Sequence, residues 1–106
     1  EFQSKADKDS VVVPIGTPTS YTTVPVTNPI TIADDGWYHI SATSPSSGNH
    51  AIIYIQDSLG ANHPLLQAAY SGSTEGTYYF KAGVTLSFRI MADVPLTAYT
   101  IQKIDF

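Results

Sequence analysis

Over Val84–Ile90 apolar and polar residues alternate with a period of two. Within Gly76–Met91, GTYYFKAGVTLSFRIM, the side chains of Val84, Leu86, Phe88 and Ile90 alternate with Thr85, Ser87 and Arg89. That period lays four apolar groups on one face of a strand. Tyr78–Phe80 and Val84–Ile90 are β-formers on either side of Lys81-Ala82-Gly83, so the stretch predicts two strands joined by a short turn. Trp37–Thr43, WYHISAT, alternates in the same way, with Tyr38, Ile40 and Ala42 on one face and Trp37, His39 and Ser41 on the other. His50–Gln56, HAIIYIQ, is apolar on both faces, which calls for cover from its own sandwich and from something else.

Turn residues punctuate these runs. Asp34-Asp35-Gly36 pairs side chains that bond their own backbone with a residue free to take positive φ, and it launches the Trp37 strand. Ser44–Asn49, residues 57–62 and Ser71–Thr77 read as polar loops. His63–Tyr70, HPLLQAAY, fits a strand or a short helical turn, and strand is preferred. Prolines 14, 18, 25 and 29 remove ladder donors and leave short extended pieces at Val11–Val13, Tyr21–Val24 and Ile30–Ile32. The chain closes with a strand over Thr97–Phe106. Eight or nine short strands with no helix predict an all-β, two-sheet antiparallel β-sandwich or jelly roll.

Composition narrows the class. A chain of 106 residues forms one domain, placed here at 11–106. Residues 1–10 are almost all polar and read as a flexible tether, a continuation of a longer shaft, or, at Glu1-Phe2, a cloning remnant. Charged residues are only 13% of the chain, which suits an extracellular or virion surface better than a cytosolic enzyme. The net charge is −4, and the five Lys and Arg are scattered, so no basic patch offers itself to nucleic acid or an anionic membrane. With no cysteine there is no disulfide framework or thiolate metal site. No apolar run approaches the ~20 residues needed to span a bilayer as a helix.

Three motifs, DGWYHISAT (35–43), IIYIQD (52–57) and TYYFKAGVTLSFRI (77–90), followed by AYTIQKIDF (98–106), resemble in their order the C1q/TNF-like jelly roll. Small fibre-tip and capsid-decoration domains of bacteriophages share that architecture. Val84 stands where the family commonly carries an acidic residue after its Lys-Ala-Gly turn. The resemblance implies a homotrimer with strand faces gathered around a threefold axis.

Candidate chemistry is sparse. His39, His50 and His63 stand in no metal-ligand spacing, no nucleophile elbow is present, and no pair of carboxylates can be placed on facing strands as a glycosidase requires. Asp34 and Asp35 suit a turn better than a calcium loop. The reading is therefore of a non-enzyme with no cofactor and no metal. Trp37 stands out: an exposed Trp beside Tyr and His would stack on a sugar ring, although packing under a loop or at a subunit contact is the preferred reading. Trp37, His39, Tyr70, Tyr78 and Tyr79 are the candidate ligand-binding residues. The expected function is that of a phage virion protein, a trimeric fibre tip or head-fibre decoration domain. Its partners are a host-surface glycan or protein, or capsid proteins, with no nucleic acid and no membrane insertion. The alternative is a secreted monomeric carbohydrate-binding module.

Overall fold

A computed structural model describes residues 16–24, 27–45, 49–69, 71–90 and 94–106. Among these there are nine strands: β1 (Ser20–Thr23), β2 (Ile30–Thr31), β3 (Gly36–Thr43), β4 (Ala51–Gln56), β5 (Asn62–Ala68), β6 (Ser73–Phe80), β7 (Thr85–Ile90), β8 (Val94–Pro95) and β9 (Tyr99–Asp105). One sheet, sheet A, has the order β1-β9-β3-β6; the other, sheet B, runs β2-β7-β4-β5, with the two-residue β8 alongside β7. Every pairing is antiparallel. Apart from β8 and the β4–β5 hairpin, each connection carries the chain from one sheet to the other, which is the connectivity of a jelly roll.

Alternation decides what lies between the sheets. Tyr38, Ile40 and Ala42 of β3 face Ala51 and Ile53 of β4 and Leu86 and Phe88 of β7 in one buried cluster, which Ile101 of β9 joins. Phe88 stacks on Tyr99 with ring centroids 4.3 Å apart and planes 11° from parallel. Each Ile, Leu or Phe side chain fully buried in this cluster contributes roughly 1.5–3 kcal/mol of transfer free energy, so the cluster is a major source of stability.

Two turns at one end need positive φ, and glycine supplies it at Gly60 and Gly83. The Gly83 turn is tied to the β2–β3 connection: its N–H donates to the Ile32 carbonyl, and the Ala82 N–H donates to Asp35 Oδ1 at 2.7 Å. Asp35 thus does the work expected of a turn carboxylate, across 47 residues of chain.

Asn28 continues β2 without being part of it. Its Nδ2 donates to the carbonyls of Phe88 (2.7 Å) and Leu96 (3.3 Å), and its Oδ1 accepts from the Phe88 N–H (3.0 Å). The side-chain amide therefore replaces a backbone rung on β7 ahead of Pro29, which has no N–H to offer.

Several expectations need adjusting. Ser71–Thr77 is mostly strand, since β6 begins at Ser73. The polar residues Ser73, Glu75 and Thr77 are its outward face, and Gly76 on the inward face conceals the alternation. The last strand is Tyr99–Asp105 and lies between β1 and β3, while Phe106 remains 48% exposed. The preference for strand over residues 63–70 holds for Asn62–Ala68, where Pro64 occupies the edge of its sheet opposite an irregularity at Ile53/Tyr54. In HAIIYIQ, Ala51 and Ile53 are fully buried and the outward Ile52 and Tyr54 are half-buried, with Ile52 flanked by Gln67 and Arg89. The expected strand at Val11–Val13 and the tether at 1–10 lie outside the described residues.

Candidate interaction face

The outward face of sheet A can be read row by row from the registers. Trp37 of β3 is opposite Tyr79 of β6 on one side and Ile104 of β9 on the other, and Ile104 is opposite Tyr21 of β1. Direct partners share a face, so Tyr21, Ile104, Trp37 and Tyr79 form one apolar and aromatic row across all four strands. The next row is polar: Thr23, Gln102, His39 and Thr77. Beyond it come Thr100, Ser41 and Glu75, where Ser41 and Thr100 share a hydroxyl hydrogen bond of 2.6 Å.

The apolar row is unevenly covered. Tyr21 is 54% exposed and Tyr79 is 40% exposed, whereas Ile104 is only 6% exposed although it belongs to the outer face and not to the core cluster. Trp37 meets Tyr79 edge-on, with ring centroids 5.7 Å apart at 74°. This is the arrangement aromatic quadrupoles favour. The Trp37 indole N–H is buried and has no hydrogen-bond partner among the described residues. Leaving a buried donor unpaired costs about 1–3 kcal/mol, which the packing of the ring against its neighbours must offset.

Of the five candidate residues, the structure brings three together. Trp37, His39 and Tyr79 share the outer face of sheet A. Tyr78 does not join them: it alternates with Tyr79 and points inward, stacked on Phe80 at 5.8 Å and packed against the core. A Cβ at Gly76 would come within 2.7 Å of the Tyr78 ring, so the ring lies over that glycine. Tyr70 lies outside the described residues. Tyr21 and Ile104 complete the row and escaped sequence reading, because only the register of β9 against both β1 and β3 joins residues so distant in sequence.

His39 Nε2 lies 2.7 Å from Glu75 Oε1, a diagonal contact on the same face. The other histidines are likewise engaged. Gln67 Nε2 is 2.6 Å from His50 Nδ1, and His63 Nε2 is 2.8 Å from Asp57 Oδ2. The hydrogen bond from His63, joined by the N–H groups of Ala61 and Leu59, holds the Asp57 carboxyl below the usual carboxylate range. These contacts fix the 57–61 loop, whose Leu59 is 92% exposed. No family model, curated protein or solved structure matches the chain.

A groove of about 540 Å³ opens beside the short β2, lined by Val24, Ile30, Ile32, Tyr38 and Lys103 among others. Its floor is already sealed, since Ile30, Ile32 and Tyr38 are each at most 6% exposed, so an occupant would gain little apolar contact there. Burial, together with the charge of Asp34, pushes the Tyr38 phenol up, and its hydroxyl donates to the Asp34 carbonyl at 2.6 Å. Among the described residues no three His, Asp or Glu side chains gather as a metal site.

Proposed function

We propose that this chain is a non-enzymatic virion module of a bacteriophage that works as a homotrimer. It would act as a fibre tip or head-fibre decoration domain that binds a host-surface receptor or the capsid. The observation carrying the reading is the row Tyr21, Ile104, Trp37 and Tyr79 on the open face of sheet A. Three of the four strands carry an aromatic side chain in this row, and its exposed members, Tyr21 and Tyr79, offer apolar surface of the kind that serves as an interaction site. A second copy of the same chain is the partner the resemblance to C1q/TNF-like trimers implies. The low charge of the sequence suits a surface that meets its own kind. Three copies held together raise the avidity of individually weak contacts at their loops.

Sedimentation equilibrium at micromolar concentration tests this. The wild-type chain is expected at three times its 11.4 kDa mass. Replacing the two most exposed members of the row, Tyr21→Lys with Tyr79→Lys, is expected to give a folded monomer by circular dichroism. A wild-type chain that is monomeric at these concentrations overturns the trimer. If that monomer also binds glycans in a manner lost with Trp37→Ala, the row is a sugar-stacking platform and the carbohydrate-binding reading takes its place.

A further inference from the structure

The polar row beside the aromatic one carries a titratable pair. His39 and Glu75 are in contact at 2.7 Å, with side chains 26% and 72% exposed, and they lie on the face that self-association would cover. The groups around His39 are Thr77 and Glu75 from β6, Gln102 from β9, and Trp37 and Ser41 on its own strand. Glu75 is the one charged group among them. With the imidazole neutral and donating to the carboxylate, the pair bears a net charge of −1; with the imidazole protonated it is a neutral ion pair. Covering that net charge costs more than covering a neutral ion pair.

We propose that the His39–Glu75 pair ties self-association to pH, each copy taking up one proton as the outer face of sheet A is covered. This rests on the reading of that face as the contact between copies. Proton uptake on association makes the assembly stronger as pH falls through the range where histidine titrates, about 5 to 8. The sign follows from linkage: the state that binds more protons is favoured at lower pH. With one proton per copy, the trimer association constant can rise by up to about 10³-fold per pH unit.

Sedimentation equilibrium of the full chain at pH 8, 7 and 6 reads this directly. The wild-type constant is expected to rise at least tenfold per pH unit on going down. His39→Gln keeps a donor for Glu75 and is expected to flatten the dependence. Glu75→Gln is expected to reverse it, because the imidazolium then becomes the unpaired charge to be covered. A trimer whose constant is unchanged between pH 8 and pH 6, or variants that keep the wild-type slope, overturn the proton coupling and leave the trimer standing. A chain monomeric at every pH overturns both.

Discussion

Asn28 offers the most direct test of how this fold is held at its weakest edge. Strand β2 is two residues long, and the chain before it is secured by one side chain making three hydrogen bonds, two to Phe88 of β7 and one to the Leu96 carbonyl. Asn28→Ala removes all three and leaves the Phe88 N–H and carbonyl without that partner at a part-buried position. At about 1 kcal/mol net for each bond, the expected loss is about 3 kcal/mol. For a domain of this size that corresponds to a fall in Tm of roughly 12–24 °C. Asn28→Asp separates geometry from volume. It keeps an acceptor for the Phe88 N–H but sets a carboxylate oxygen where the amide donated to the Phe88 carbonyl. At pH 7 it is expected to cost at least as much as alanine. Because the protonated acid can donate and the carboxylate cannot, the folded-state pKa of the new acid is raised. Stability is then regained below the ordinary aspartate range, about pH 4, and lost as pH rises. Urea unfolding at fixed protein concentration, at pH 7 and pH 3.5 with the wild type as reference, measures both. A loss under about 1 kcal/mol for alanine, or an aspartate variant no better relative to wild type in acid, would refute the rung assignment.

Other consequences are simpler to state. Ile53→Ala, at a fully buried site between the sheets, is expected to cost about 2–5 kcal/mol in urea unfolding. Gly76→Ala drives a methyl group into the Tyr78 ring at a distance no pair of carbon atoms tolerates, and the expected loss is about 1–3 kcal/mol, read as a lower midpoint. Because the folded-state pKa of Tyr38 is raised, its contribution is complete below the ordinary tyrosine range and fades as pH rises above about 10; Tyr38→Phe should remove that alkaline component of unfolding. The depressed Asp57 pKa has the opposite sign, so its contribution is present above the ordinary aspartate range and lost in acid. Amide exchange at Leu59 and Ala61 is expected to accelerate in Asp57→Ala at neutral pH, with little change in global stability.

The strands that were legible in the sequence are those whose burial differs between faces. Val84–Ile90 and Trp37–Thr43 carry a clean period of two because one side of each meets the core. β6 was half hidden for a physical reason: its inward positions include Thr74 and a glycine kept small to receive the Tyr78 ring, so the polar outer residues read as loop. The same strand shows why Tyr78 and Tyr79 could not both belong to one site, since adjacent residues in a strand point opposite ways. Phe80 closes the inner face, which places Tyr78 inside and Tyr79 outside. The aromatic row needed more than alternation, because Tyr21 and Ile104 meet Trp37 only through strand pairing that no local pattern encodes. Asn28 left no signal at all: an asparagine before proline reads as a turn, and its role depends on a β7 backbone sixty residues away.

The place of β9 in sheet A bears on how the protein is made. Ser20 is paired with Asp105, 85 residues further along, and the strand that joins β1 to β3 is synthesised after both of them. On a translating ribosome β3 can pair with β6, but neither β1 nor β3 can pair with β9 until Tyr99–Asp105 has emerged from the exit tunnel. Nascent chains would therefore wait with two strand edges open, and crowding of such chains on one message would favour pairing in the wrong molecule.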